Sequence, residues 1–205
     1  MKQLLCLAAI CILLNACTTV PVTVPEAGNQ RAYQERVARI SRVSDWSLVG
    51  RISIDDGEEG GSGRLQWVVK ADRGSIDFHA AMGRGAWHLE SGPDGAVLRL
   101  ADGSEHTAAA VDTLVEQQLG WPIPVTALQW WVRGLSAPGL VDEQLIDADG
   151  LLTHLEQFGW QIDFKRYSSE SSTVMPTRLD ARRGQYRVKL AVSRWQITTH
   201  DLITN

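Results

Sequence analysis

The chain of 205 residues is long enough to form one domain with a substantial hydrophobic core, and its overall composition is that of an ordinary globular protein. A net charge of −4, with basic residues spread along the chain, argues against a nucleic-acid-binding protein. Eight tryptophans against three phenylalanines and three tyrosines are unusual, because Trp is favoured in cores, at interfaces and beside lipid.

The N-terminus has the pattern of a lipoprotein signal peptide. Lys2 precedes an apolar run at residues 4–14, which is too short to span a bilayer but fits the apolar region of a secretory signal. The sequence from Leu14 to Cys17 resembles a bacterial lipobox, so we expect residues 1–16 to be a signal peptide and Cys17 to be the lipid anchor. A plain secretory signal and an N-terminal core helix are the alternatives.

Cleavage before Cys17 removes Cys6 and Cys11, so the anchor is the only thiol left and no disulfide can form within the chain. Thr18 follows the anchor, whereas lipoproteins retained in the inner membrane typically carry Asp there. By that resemblance we expect anchoring in the outer membrane, at its periplasmic face. Residues 17–30 are predicted to be the lipidated N-terminus and a Pro/Thr tether, and residues 31–205 a single domain.

The hydrophobic pattern of the body predicts a mainly β protein. Residues 30–43 and 108–119 have helical periodicity, and most of the remaining chain alternates with a period of two, with turns between the runs. The acidic, glycine-rich stretch 55–63 is predicted to be a hairpin loop. The count is about ten or eleven strands in an antiparallel meander, with three helices.

The third helix lies in the most apolar stretch of the mature chain, residues 119–135. Pro122 and Pro124 hold the chain extended, Thr126 is a plausible N-cap, and Gly134 closes the helix. One helical face carries Leu128, Trp131, Val132 and Leu135. This helix, with sheet sequence on both sides, is placed to cover one sheet face, although an ordinary core helix has the same periodicity.

A single sheet of about eleven strands must curl, and three short helices are too few to fill its concave face. We therefore expect an open half-barrel with a partly covered apolar cavity. The residues predicted to line it, from strand alternation and from the helical face, are Trp46, Ile52, Leu65, Trp67, Phe78, Trp87, Leu89, Leu128, Trp131 and Val132.

No motif indicates catalysis, a cofactor or a metal site. The five histidines lack metal-ligand spacing, and Gly60 to Gly63 is not followed by the Lys-Ser/Thr and helix of a phosphate-binding loop. We expect no enzyme activity. Met82 is unusual because it lies in the predicted turn Ala81 to Gly85, where polar residues are expected. It is either tucked into the core or exposed as an apolar tip for a membrane or partner.

The stretch from Gly120 to Gly134, GWPIPVTALQWWVRG, resembles the G-x-P-I-P-x-x-x-L-x-x-W-x-x-G signature of the outer-membrane lipoprotein LolB family. The lipobox, Met175-Pro176 and the closing Val188-Lys189-Leu190 with Trp195 extend the resemblance over essentially the whole mature chain.

The resemblance implies an open eleven-stranded half-barrel whose cavity takes lipoprotein acyl chains from the periplasmic carrier LolA and passes them to the outer membrane. It also implies a membrane-insertion loop at Met82 and Gly83, in which Met82 stands where the family usually has Leu. We expect the protein to be a monomer. A lipocalin-like lipoprotein that carries a lipid or small apolar ligand is the alternative. The sequence lacks the nucleophile–base pair that a lipoprotein hydrolase needs.

Overall fold

The computed structural model describes residues 27–81, 85–169 and 173–198. The predicted anchor Cys17 and the predicted loop residues Met82 and Gly83 lie outside the described residues. The helices are α1 (Ala27–Ile40), α2 (Val111–Leu119) and α3 (Val125–Trp131). The strands are β1 (Asp45–Asp55), β2 (Gly60–Lys70), β3 (Arg73–Ala80), β4 (Ala86–Gly92), β5 (Gly95–Leu100), β6 (Glu105–Ala108), β7 (Glu143–Ile146), β8 (Leu152–Gln157), β9 (Trp160–Tyr167), β10 (Pro176–Arg183) and β11 (Tyr186–Thr198).

All eleven strands form one open antiparallel sheet in the order β6-β5-β4-β3-β2-β1-β11-β10-β9-β8-β7. The chain builds one meander from β1 to β6, passes through α2 and α3, and builds a second meander from β7 to β11. The two meanders meet where the first strand pairs with the last, from Asp45 opposite Thr198 to Asp55 opposite Arg187. The sheet does not close, since β6 and β7 remain its edges, and the predicted mainly β half-barrel with three helices is confirmed.

The seam between β1 and β11 contains a bulge at Val49 and Gly50. A side chain at position 50 would place its Cβ 2.5 Å from the carbonyl oxygen of Ala191, so only glycine fits this close approach. A bulge bends its strand and increases the local twist. It therefore helps to curve the sheet.

The two rims of the sheet carry different connections, as the pairing registers show. The first rim holds the ends of β1, β3 and β8, with the turns at 56–59 and 158–159. The second rim holds the β2–β3 turn at 71–72 and the residues that lead into β1, at 41–44. The predicted loop 55–63 is wrong at both ends, because β1 continues to Asp55 and β2 begins at Gly60, which shortens the loop to 56–59.

Helix α1 is attached to the half of the sheet formed by the second meander. The hydroxyl of Tyr33 accepts a hydrogen bond of 3.0 Å from the backbone N–H of Ser136. The Arg36 guanidinium donates to the carbonyl oxygens of Val174 and Arg133, at 2.7 and 2.8 Å. These bonds fix the helix against the chain that follows α3. Among the described residues, no helix is long and apolar enough to span a membrane.

Candidate apolar binding site

An apolar cavity lies between the inner face of β1–β4 and residues 111–131, which we call the covering segment. Alternation along the strands brings Ile52, Leu65 and Trp67 to this face, while Arg51, Arg64 and Gln66 point outward. Every lining side chain is apolar, apart from the indole N–H groups of its tryptophans. The wall therefore offers contacts suited to a hydrocarbon chain.

The cavity is narrow in this conformation. Its volume is about 40 Å³, far below the roughly 300–1,000 Å³ of a typical ligand pocket. The predicted apolar cavity is present, but it is narrower than three short helices alone would leave it. Large side chains account for the difference, because Trp67, Trp87 and Trp121 all enter the space between sheet and covering segment.

The covering segment is held in shape by contacts between its two helices. Gly120 ends α2 in the left-handed conformation, with φ of 69°, and its N–H donates to the carbonyl oxygen of Glu116. The carboxylate of Asp112 in α2 accepts hydrogen bonds from the backbone N–H and the hydroxyl of Thr126 in α3. The residue at the N-cap of α3 is Pro124, so the predicted N-cap Thr126 is wrong. The backbone N–H of Thr126, at the start of the helix, is bonded to Asp112 instead of to a capping side chain.

Three aromatic rings join the covering segment to the sheet. Phe78 of β3 and Trp87 of β4 are stacked at 5.2 Å between centroids, and Trp121 meets both edge-on at 6.4 and 6.2 Å. Gly63 makes room for this cluster, since a Cβ there would lie 2.5 Å from the Phe78 ring. The cluster separates the cavity from the first rim.

A groove of about 470 Å³ opens on the first rim, beyond the aromatic cluster. It shares Ile52, Ile54, Trp87, Leu119 and Trp121 with the cavity. Ala81 and Gly85, the described residues on either side of 82–84, also line it. The groove thus adjoins the apolar cavity at the rim where β3 ends and β4 begins.

A second pocket of about 540 Å³ opens on the second rim. It shares Trp67 and Val125 with the cavity and is lined in addition by Trp46, Trp130 and Arg133. The cavity therefore lies between two openings at opposite rims of the sheet. The second opening contains a buried cation, Arg133.

The structure brings together most of the residues predicted to line the cavity. Ile52, Leu65, Trp67, Trp87, Leu89 and Leu128 lie in its wall, and Phe78 lines the adjoining groove. Trp46, Trp131 and Val132 lie elsewhere. Trp46 lines the second-rim pocket, Val132 is fully buried in the core, and Trp131 turns toward β8, where its Nε1 donates to Oε1 of Gln157 at 2.9 Å.

The residues that were not predicted come from the covering segment and from the sheet beside the predicted ones. They are Ile54, Ile76, Val115, Leu119, Trp121, Ile123 and Val125. The signal was present for most of them, since Val115 and Leu119 belong to the apolar face of α2 and Ile54 and Ile76 continue the strand alternation. The extended residues Trp121 and Ile123 have no periodicity that shows which way they point.

No ionisable residue is among the described residues that line the cavity, and His88 pairs with carboxylates on the outer face of the sheet. Nδ1 of His88 lies 2.7 Å from a carboxylate oxygen of Asp77, and its Nε2 lies 3.3 Å from Glu90. Partial burial lowers the His88 pKa, but the hydrogen bonds and charges of these two carboxylates outweigh it, and the net pKa is raised. No group of side chains suited to hold a metal ion is found among residues 27–81, 85–169 and 173–198.

The open antiparallel sheet, half covered by helices over an apolar cavity, defines an open half-barrel protein. A solved LolA superfamily structure from Nitrosomonas europaea has this fold, with a TM-score of 0.50 and 9% sequence identity over 83% of this chain and 94% of that chain. The family model described as outer membrane lipoprotein LolB matches residues 44–195.

Two relatives named outer-membrane lipoprotein LolB extend the match. The protein of Stutzerimonas stutzeri is 35% identical over 96% of both chains, and that of Alkalilimnicola ehrlichii is 34% identical over 91% of this chain and 92% of its own. The chain belongs to the LolB family of outer-membrane lipoproteins. This confirms the resemblance seen in the Gly120–Gly134 stretch and the expected outer-membrane location. The family is one of lipoprotein localisation rather than a known enzyme family.

Proposed function

We propose that this protein is an outer-membrane receptor, anchored through Cys17, that accepts the acyl chains of lipoproteins from a LolA-like periplasmic carrier and inserts them into the outer membrane. The observation that carries the proposal is the apolar wall between β1–β4 and the covering segment, which continues into the groove at the first rim. Acyl chains cannot cross an aqueous compartment uncovered, and such a wall excludes water from them.

Loading requires the covering segment to move, because a cavity of about 40 Å³ cannot take an acyl chain. Its contacts with the sheet suit such a movement. Leu114 and Val115 of α2 pack through apolar side chains, and the rings of Trp121, Phe78 and Trp87 meet without a polar bond between them. Around α2 and Trp121, an acyl chain that enters replaces apolar contacts with apolar contacts. The end of α3 stays in place, because the buried hydrogen bond from Trp131 to Gln157 holds it on β8.

One polar atom in the wall is free to recognise cargo. The Nε1–H of Trp87 is buried and has no hydrogen-bond partner among the described residues. Ester and amide linkages of an acylated cysteine present carbonyl oxygens, which accept from an indole N–H. We assign Trp87 to that contact.

Delivery is assigned to the first rim and to the anchor. Met82 follows Ala81 in the chain, and Ala81 lines the groove, so we assign the apolar Met82 side chain to contact with the bilayer interface. Several acyl chains on Cys17 hold the protein in the membrane, since each buried CH₂ contributes roughly 0.8 kcal/mol. Transfer then needs only affinities that increase from carrier to receptor to bilayer.

A transfer assay with a purified carrier–lipoprotein complex tests the proposal. The full chain should strip the lipoprotein from its carrier, and Leu128→Gln, which puts an amide into the cavity wall, should slow the transfer. Leu140→Gln is the matched control, because Leu140 is 86% exposed and lies outside the cavity. A lipocalin-like carrier of small apolar ligands would bind a fluorescent apolar probe and leave the complex intact, and that result would contradict the receptor function.

The anchor is tested separately. Cys17→Ala should take up no radiolabelled palmitate and should leave the outer membrane, while its domain still accepts lipoprotein from the carrier. Palmitate incorporation into the Cys17→Ala protein would contradict the assignment of the anchor.

A further inference from the structure

The second-rim pocket contains a cation without a counter-ion. Arg133 is only 5% exposed, and no carboxylate lies within ion-pair distance of it in the parts of the chain that the structure describes. Burial lowers its pKa to about 10, so the guanidinium remains charged at neutral pH. An uncompensated buried charge is costly, and an anion that reaches it is bound strongly.

The hydrogen bonds of Arg133 leave one edge of the guanidinium available. Its Nε donates to the carbonyl oxygen of Gln129 at 2.9 Å, and its Nη1 reaches those of Ile40 and Val43 at a long 3.4 Å. Its Nη2 has no partner among the described residues. A guanidinium forms paired hydrogen bonds with phosphate or carboxylate oxygens, and the free Nη2 beside a weakly bonded Nη1 provides that pair of donors.

Two indole rings hold the guanidinium in the pocket wall. The Arg133 Cζ lies 4.8 Å from the ring centroid of Trp130 and 5.6 Å from that of Trp46. These cation–π contacts stabilise the charge over the ring faces and leave the edge of the group to the pocket. The other charged residues that line the pocket, Asp72 and Arg73, are exposed. Arg73 forms an ion pair with Asp94 at 3.2 Å, and Asp72 precedes Arg73 in the turn.

The position of Arg133 indicates the shape of its ligand. The pocket shares Trp67 and Val125 with the apolar cavity, so a group bound at Arg133 lies at the end of a wall that accepts hydrocarbon. We propose that Arg133 binds the anionic head group, a phosphate or carboxylate, of an amphiphile whose chain enters the apolar cavity. This inference rests on the proposed function, because it uses the same cavity for the chain.

The ligand class differs from the lipoprotein cargo. The ester and amide carbonyls of an acylated cysteine are neutral, whereas the site presents an unpaired cation. A lipid with a phosphate head group can pair with the Arg133 cation and pack its chain against the apolar wall. The receptor would then hold a membrane lipid when it holds no cargo.

Binding of octyl phosphate, 1-octanol and inorganic phosphate to the Cys17→Ala chain tests the inference, with Trp fluorescence as the readout. Octyl phosphate should bind about tenfold or more tightly than octanol, which has the same chain, as expected for a hydrogen bond to a charged group. Arg133→Gln should remove this preference. Arg73→Gln, at the exposed arginine of the same pocket, should keep it.

The outcomes separate the two proposals. Equal binding of octyl phosphate and octanol to the unsubstituted site, or a preference that survives in Arg133→Gln, would overturn the head-group site and leave the apolar cavity standing. Inorganic phosphate that binds as tightly as octyl phosphate would overturn the amphiphile assignment. If neither chain-bearing ligand binds, the cavity itself fails. Should Arg133→Gln not fold, as judged by circular dichroism, Arg133→Lys supplies the test, and it should reduce the preference because an ammonium cannot form the paired bonds.

Discussion

Trp131 and Gln157 are joined by a buried hydrogen bond of 2.9 Å from the indole Nε1 to the amide Oε1. The same amide oxygen accepts from the backbone N–H of Ala137, and the amide nitrogen donates to the carbonyl oxygens of Ala137 and Leu140. One fully buried side chain therefore ties the end of α3 and the following loop to β8.

Gln157→Leu is expected to lower the free energy of unfolding by about 2–5 kcal/mol, because it leaves several buried polar groups without partners at about 1–3 kcal/mol each. Urea denaturation measures the change. The control is Gln161→Leu on β9, whose amide bonds only to side chains near the surface and which should cost far less. Equal losses in the two variants would contradict the role given to Gln157.

The His88 pair should make stability depend on pH. Its folded pKa is raised above the unfolded value of about 6.5. Protonated His88 therefore contributes stability that is fully present below the unfolded pKa and is lost as the pH rises through the folded pKa. His88→Gln should accordingly lower the Tm at pH 5.5 more than at pH 8.5, relative to the unsubstituted protein. A Tm difference that is the same at both values would show that the ion pair contributes nothing.

Trp87→Phe removes the unpaired N–H from the cavity wall and keeps an aromatic ring. We expect the free energy of unfolding to change by less than about 1 kcal/mol, since relief of the unpaired group offsets the lost volume. Methyl octanoate should bind about three- to tenfold more weakly, while octane, which has no carbonyl, should bind as before. Trp160→Phe is the matched control, because Trp160 also has an unpaired buried N–H but lies outside the cavity. Weaker binding of both ligands to Trp87→Phe would assign the effect to packing.

Met82→Glu should fold normally and accept lipoprotein from the carrier but fail to insert it into liposomes. If residue 82 contacts the bilayer as proposed, a carboxylate there raises the free energy of that contact, whereas surface substitutions usually change stability by less than about 0.5 kcal/mol. Met82→Leu, which restores the residue usual in the family, should insert lipoprotein as well as the unsubstituted protein. Thermal unfolding, transfer and liposome insertion distinguish the steps. Full insertion activity in a stably folded Met82→Glu protein would refute the loop's role.

The long strands could be predicted from sequence, because a strand with one buried face alternates clearly, as β1 and β9 do. The edge strands β6 and β7 are harder to predict. Each has four residues, and their short sequences, EHTA and EQLI, carry too little alternation to distinguish an edge strand from a loop. Periodicity also shows that a side chain points inward, but not what it meets there. It could not separate Leu128, which faces the cavity, from Trp131, whose partner Gln157 lies 26 residues away.

The seam between β1 and β11 makes completion of the sheet depend on the end of the chain. Hairpins within each meander join neighbouring strands, but Asp45 and Thr198 can meet only after nearly the whole domain has been translocated. Closing so long a loop costs chain entropy before any contact compensates for it, and pairings of this kind fold slowly. Until β11 arrives, β1 exposes an unpaired edge to other chains. The newly translocated protein is therefore most prone to aggregation just before its last strand is added, and a chain shortened by that strand would keep the exposed edge permanently.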